Sequence, residues 1–162
     1  MSNSPTIRTA QSYEAKEISE LAMRSKAYWG YSASFMEACR KELTVTAQAI
    51  NSADVYYLVA ERNSELLGYY AVEKLSDHKF ELAALFVEPT FIGQGIGRAL
   101  MDHAKKLVKN LGGKTLIIQG DPNAERFYRA AGGKPSGMRE SASVSGRSLP
   151  LFTIDLMSED AA

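Results

Sequence analysis

The chain has 162 residues, 45% of them hydrophobic and 23% charged, and its 19 basic residues balance 19 acidic ones. That length suits one domain able to bury its own core, and the balanced charge argues against working by counterion release on nucleic acid or by lying on an anionic membrane. One cysteine, Cys39, and two histidines, His78 and His103, exclude a disulfide framework and a Cys-rich zinc site, so no metal is expected.

No apolar run nears the ~18 residues of a membrane span, and the opening MSNSPTIRTA lacks an apolar signal core. The expectation is a cytoplasmic protein, residues 1–162 forming a single domain with short flexible ends near 1–4 and 158–162. In chain order, Thr6–Ala10 reads as a short first strand. Ser12 opens a helical stretch with Ala15, Ile18, Leu21 and Ala22 at helix spacing, ending near Ser25 before the aromatic run Ala27–Tyr31. Ser34 and Glu37 have capping-box spacing and predict the start of a second helix. Residues 44–54 are ambiguous, with a short helix around Ala47–Ile50.

The middle of the chain reads as strands. Val55–Glu61 and Leu66–Leu75 are rich in Val, Tyr and Leu, and Asn63-Ser64-Glu65 between them suits a hairpin turn. A third strand, Lys79–Val87, is nearly all apolar after Glu81, which predicts cover on both faces. The pattern then alternates helix and strand. Gly95–Leu111 carries an apolar stripe and lysines in its last turns, with Gly112-Gly113 as a stop. Thr115–Gln119 is a short strand, and Asp121-Pro122 is a good cap and first residue for a helix through Ala131. Residues 136–148 are rich in Ser and Gly, with a loop over Ser141–Leu149, and Leu151–Leu156 reads as a final strand. The fold class is α/β (α+β): an antiparallel meander, then β-α-β-α and a closing strand.

The most informative segment is LFVEPTFIGQGIGRAL, residues 85–100, running strand, loop, glycine-rich turn and helix start. Glycines let backbone approach a ligand, and a helix N-terminus presents free N–H groups to an anion, so this is a place for phosphate or pyrophosphate. Common nucleotide fingerprints fail. Arg98 stands where the dinucleotide pattern from Gly93 needs its third glycine. Gly113-Lys114-Thr115 mimics the end of a P-loop, but Val108 replaces its first glycine.

The run LFVEP…GQGIGRALM resembles motif A of the GCN5-related N-acetyltransferase (GNAT) family, written R/Q-x-x-G-x-G/A. Gly95 and Gly97 stand at its glycine positions, while Ile92 departs from its Arg or Gln. The segment DPNAERFYRAAG, residues 121–132, resembles the family's N-x-x-A-x-x-F-Y-x-x-x-G-F stretch, with Gly133 in place of the closing Phe. The resemblance extends from Thr6 to about Leu156. It implies a mixed, mostly antiparallel central sheet flanked by helices, and acetyl-coenzyme A (acetyl-CoA) as co-substrate without a metal. It also implies acetyl transfer to the amine of a small molecule or peptide by direct attack in a ternary complex. A homodimer is compatible with it.

On this resemblance, Leu85, Phe86 and Val87 present backbone to the pantetheine arm. Gly93, Gln94, Gly95, Ile96, Gly97 and Arg98 hold the pyrophosphate, and Asn123 adds a cofactor contact. Tyr128 is the candidate acid for the departing thiolate, with a core aromatic as the plain alternative. Glu81 is the candidate base, acting through water, with Glu73 as second choice. Trp29, Tyr31 and Arg147 are candidate acceptor-site residues: two flat walls and a partner for a substrate carboxylate. They read equally as core aromatics and a surface charge. Cys39 reads as core, His78 as surface and His103 as packing. Two other functions remain open: a non-catalytic acyl-CoA-binding sensor or regulatory domain of the same fold, and a small nucleotide-binding α/β domain.

Overall fold

The computed structural model describes residues 4–157; apart from Ser4, the ends expected to be flexible lie outside the described residues. Seven strands form one sheet: β1 (Thr6–Thr9), β2 (Val55–Arg62), β3 (Glu65–Lys74), β4 (Lys79–Val87), β5 (Thr115–Gln119), β6 (Lys134–Glu140) and β7 (Ser148–Asp155), in the order β1-β2-β3-β4-β5-β7-β6. Every neighbouring pair is antiparallel except β4 with β5. The helices are α1 (Ala15–Ala27), α2 (Ala33–Leu43), α3 (Ala47–Ile50), α4 (Ile96–Asn110) and α5 (Glu125–Ala130). Among the described residues no helix is long and apolar enough to cross a membrane.

The β2–β3 hairpin turns through Asn63 and Ser64, both at positive φ (54° and 64°). Two consecutive left-handed residues make the turn whose twist matches flanking strands. The sheet buries both faces. On one, α4 and α5 cover a core of Leu67, Tyr70, Phe80, Leu100, Leu116 and Phe152. On the other, α1 lays Ile18, Leu21 and Ala22 against Val59, Leu66 and Tyr69. Arg24 on α1 grips the Glu88 carboxylate through Nε and Nη2, the shortest contact being 2.6 Å. That ion pair ties the α1 end to the chain leaving β4.

Two expectations are corrected. The second helix is capped by Ser32, whose hydroxyl accepts from the Phe35 N–H, and not by Ser34; Glu37 pairs instead with Arg40 one turn on. Residues 134–140 form strand β6 where no strand was expected. Its residues are all exposed, and a register shift at Pro135–Gly137 lets a proline sit in the ladder. An outer strand with no core face carries no apolar alternation to read.

The β1 end is fastened by charge. Arg8 donates to both oxygens of Glu14 (3.0 and 2.8 Å) and of Glu61 (3.1 Å each), and the Gln11 N–H donates to Glu14. Glu14 is buried, and the Arg8 guanidinium holds its carboxyl below the usual glutamate value. Replacing Glu14 by Gln should therefore cost about 1–3 kcal/mol, the scale of a charged hydrogen-bond pair. Because the folded pKa is depressed, this contribution is present above the unfolded value of ~4.3 and lost as pH falls through the folded one. Urea midpoints of the two proteins should differ at pH 7, and the difference should begin to shrink only as pH falls below about 4; equal midpoints at pH 7 would show that the pair stabilises nothing.

Candidate functional site

β4 and β5 pair only from Lys79–Thr115 to Leu82–Ile118. At that point Ala83 bulges out of the β3–β4 ladder, since Ala71 opposes Ala84 while Val72 opposes Leu82. A bulge bends its strand and ends pairing on one edge, and here it turns β4 away from β5. β5 continues to Gln119 against β7 alone. The opening holds a cavity of about 740 Å³ lined by both strands, the turn before α4, α5 and the α1–α2 region.

The alternation of the antiparallel ladder decides which backbone groups face this opening. The Glu88 N–H bonds to the Leu67 carbonyl at 2.8 Å. In the register that opposes Tyr69 to Phe86, this makes Phe86 a hydrogen-bonded partner of β3 and turns the N–H and C=O of Leu85 and Val87 outward. Of the three residues expected to offer backbone, Leu85 and Val87 do so. Phe86 instead contributes its ring, packed at 5.8 Å against Tyr69, which stacks at 6.4 Å on Tyr57.

The glycine turn closes one side. Gly93 and Gly95 have φ of 88° and 81°, and Gly95 caps α4 without any side-chain bond. The first-turn N–H groups of Ile96, Gly97 and Arg98 therefore have no helical partner. No atom lies within 4 Å of where a Cβ on Gly93 or Gly95 would stand, so the cradle is open to a phosphate. Ile96 can offer only its N–H, because its side chain is in the core. Gly97 has a second role: a Cβ there would stand 3.3 Å from the Phe127 ring. Gln94 accepts from Arg62 at 3.2 Å, Arg98 is exposed at the lining, and Ile92, at the departing motif position, is 44% exposed.

Tyr128 lies at the floor of the cavity, its ring between Phe127 and Phe152. Its hydroxyl has no hydrogen-bond partner among the described residues, yet it is not a sealed, unsatisfied group, so it reaches the cavity. Burial, with the nearby Asp121 charge, raises its pKa and keeps it protonated.

Glu81 does not line this cavity. It precedes the bulge, where β4 is still paired on both edges. Its carboxylate takes an ion pair from Arg139 on β6 at 3.0 Å. Glu73 opposes it on β3, also outside the lining. His103 accepts or donates at 2.7 Å with the Tyr70 hydroxyl, away from the cavity, and His78 lies against the Gly112 carbonyl.

Two of the three acceptor-side candidates, Tyr31 and Arg147, meet in a hub that sequence reasoning did not assemble. The Tyr31 hydroxyl bonds to the Asp121 carboxylate (2.8–2.9 Å), while Arg147 and Asn123 both donate to Tyr31 Oη (2.9 and 3.0 Å). Lys26 completes it, 3.2 Å from Asp121. Tyr31 stacks on Phe35 at 4.2 Å, and the Arg147 guanidinium lies over both rings. Burial pushes the Asp121 carboxyl up, but bonds from the Asn123 N–H, Tyr31 and Lys26 outweigh it and hold it below the usual value. Asp121 was legible as a helix cap; that its Oδ2 also meets Lys26, Tyr31 and, at 4.0 Å, Arg147 was not. Trp29, 46% exposed, stands at the cavity mouth edge-on to Tyr28.

Residues 9–142 match a protein family described as Acetyltransferase (GNAT) domain. Over 71 residues the chain is 35% identical to the peptidyl-lysine N-acetyltransferase YjaB of Salmonella typhimurium. That match covers 44% of this chain and 47% of the relative, so the chain spans about half the length of the curated relative it matches. Among solved structures, the PaiA N-acetyltransferase of Thermoplasma acidophilum in complex with coenzyme A superposes with a TM-score of 0.77 at 22% identity, over 96% of this chain and 99% of that one. The ribosomal-protein-S18-alanine N-acetyltransferase of Escherichia coli gives 0.70 at 16%, over 94% of each. An aminoglycoside 6′-N-acetyltransferase complexed with coenzyme A gives 0.69 at 17%, over 93% and 97%. At such identities these likenesses show the fold.

The hub makes its own prediction. Asp121→Ala leaves two largely buried cations facing each other and should cost about 1–3 kcal/mol, whereas Tyr31→Phe removes one hydroxyl and should cost about 0.5–1.5 kcal/mol. Urea unfolding of both variants checks the order; a cost for Asp121→Ala no larger than for Tyr31→Phe would mean that the hub is not organised by this carboxylate.

Proposed function

The chain belongs to the GNAT acetyltransferase family, and on that premise we propose that it is an acetyl-CoA-dependent N-acetyltransferase acting on a primary amine by direct attack in a ternary complex. The observation that carries this reading is the opening beyond Leu82 and Ile118. It joins an unpaired strand edge, an anion-binding helix start and an unpartnered tyrosine hydroxyl in one cavity.

The residues present fit the co-substrate. An open cradle at Gly93 and Gly95 and the free N–H groups of Ile96, Gly97 and Arg98 suit its pyrophosphate. The outward N–H and C=O groups of Leu85 and Val87 suit its amide-bearing arm, as a strand pairs with an extended peptide. When bound, acetyl-CoA supplies an activated acetyl group and a sulfur leaving group.

The chain's own residues then do three things. An outward N–H of β4 donates to the acetyl carbonyl oxygen and stabilises negative charge there. Tyr128 holds its Oη proton because burial raises its pKa, and it donates that proton towards sulfur as charge builds. The apolar lining excludes water that would compete with the amine. Cys39 supports direct transfer: it is buried on α2, and no histidine lines the cavity beside it to activate a thiolate. Asn123, committed to Asp121 and Tyr31, acts by holding the hub beside the opening rather than by reaching for the co-substrate.

Two measurements test this. In Gly95→Ala the new Cβ meets no atom, so its cost is backbone strain at positive φ, about 1–2 kcal/mol. Relief of that strain turns the helix-start N–H groups, and acetyl-CoA affinity should fall about tenfold or more by isothermal titration, a loss of one hydrogen-bond pair. Unchanged affinity would overturn the pyrophosphate assignment. In Tyr128→Phe, acetyl-CoA affinity should stay within about threefold while the single-turnover rate falls ~10²–10⁴-fold. A rate close to that of the parent would return Tyr128 to the core, and an equal loss in rate and affinity would make it a binding residue.

A further inference from the structure

The acceptor has to find its place among charges that are already committed, and this constrains its chemistry beyond being an amine. Two carboxylates line the cavity among the described residues, Glu42 and Asp121, and no histidine does. Asp121 is occupied by Tyr31, Lys26 and Asn123, and exposed Glu42 accepts from the Ser143 hydroxyl. Asp121 is thus already paired with a cation, and exposed Glu42 is the one other lining carboxylate, so the hub itself offers no unpaired anion to a polycation. Lysine-like alkyl amines, with pKa near ~10.4, are also the hardest to deprotonate; an α-amine needs less help.

Arg147 has the opposite character. Its guanidinium carries five N–H donors but spends one hydrogen bond, on Tyr31 Oη, and stands 4.0 Å from Asp121, which Lys26 approaches more closely. Stacking on Phe35 and Tyr31 fixes its plane, and it lines the cavity with its side chain mostly buried. Within the hub two cations face one carboxylate, so a further anion is electrostatically wanted there. The same cavity is also lined by the Tyr57–Tyr69–Phe86 ring ladder, with Trp29 at the mouth.

We propose that the acceptor is an aromatic α-amino acid, or a small derivative that keeps its carboxylate, with the carboxylate on Arg147 and the ring against this aromatic wall. This rests on the acetyl-transfer reading above. In the step, the nitrogen–acetyl bond forms as the carbon–sulfur bond breaks. The ammonium loses one proton to water before attack and one after it, and sulfur takes the Tyr128 proton, which solvent then restores; one proton is released per turnover. Arg147 thereby becomes the residue that determines specificity.

The test is a coenzyme A release assay giving kcat/KM for L-phenylalanine and L-tryptophan, their decarboxylated counterparts phenethylamine and tryptamine, a lysine-containing peptide, and the polycations spermidine and kanamycin. The parent protein should prefer each amino acid over its decarboxylated counterpart by about 10–100-fold, the scale of a charge-assisted pair, and over both polycations. In Arg147→Gln that preference should collapse to within about threefold, mainly through KM for the amino acids, and Arg147→Lys should restore part of it. Loss of stability alone would lower all substrates together and leave the ratio intact. A parent preference for spermidine, kanamycin, the lysine peptide or the decarboxylated amines overturns this inference and leaves acetyl transfer standing. Acetyl-CoA binding without turnover of any amine overturns both it and the transfer reading, and absence of acetyl-CoA binding by titration overturns the assigned co-substrate site as well.

Discussion

Two parallel strands that stay together for four residue pairs and then separate are the constraint on which this molecule depends. β4 and β5 are paired from Lys79–Thr115 to Leu82–Ile118, and the extra residue Ala83 turns β4 away at the next position. A sheet that stayed closed would leave Leu85 and Val87 pairing with a neighbour, and their backbone groups would be satisfied inside the ladder. Separation leaves buried polar groups facing a cavity, which is costly unless a ligand or water bonds to them. The molecule keeps the opening stable by holding each side independently: β4 through its full pairing with β3 and the Arg24–Glu88 clamp, β5 through β7.

The opening also separates two chemistries by face. The α4–α5 face carries the glycine turn, the free helix N–H groups and Tyr128, all suited to a phosphate-bearing donor and its leaving group. The α1–α2 face carries aromatic rings and the hub, suited to the acceptor. Asp121 sits where these meet: it caps the turn leading into α5 and binds Lys26 and Tyr31 of the other face. Its charge also helps to keep Tyr128 protonated. One carboxylate thus touches both faces: it holds Lys26 and Tyr31, and its charge adds to the burial that raises the Tyr128 pKa.

Sequence reasoning went furthest where the physics is local. The Asn63-Ser64 turn, the Asp121-Pro122 helix start, the short helix Ala47–Ile50 and the Lys79–Val87 strand all follow from residue types within a few positions of one another. The glycine turn belongs with them, because positive φ and an uncapped helix start are properties of adjacent residues. Much less was legible where the deciding partner is distant. Glu81 reads as a candidate base on a strand leading into the opening, and only the tertiary structure shows it paired with Arg139 from 58 positions away. Strand β6 has no apolar face and exists because β7 offers it an edge.

The sequence by itself determined the order of elements apart from β6, the glycine-rich turn before α4 and the choice of Tyr128 as candidate acid, since glycine conformation, capping and motif spacing are short-range. Only the tertiary structure decided which of three strand residues expose their backbone, which carboxylates are free, and that Lys26, Tyr31, Asp121 and Arg147 meet. Those outcomes depend on ladder alternation, on one inserted residue and on contacts between side chains up to 116 positions apart. No local pattern encodes such contacts, because the partner that satisfies a charge is chosen by how whole elements pack.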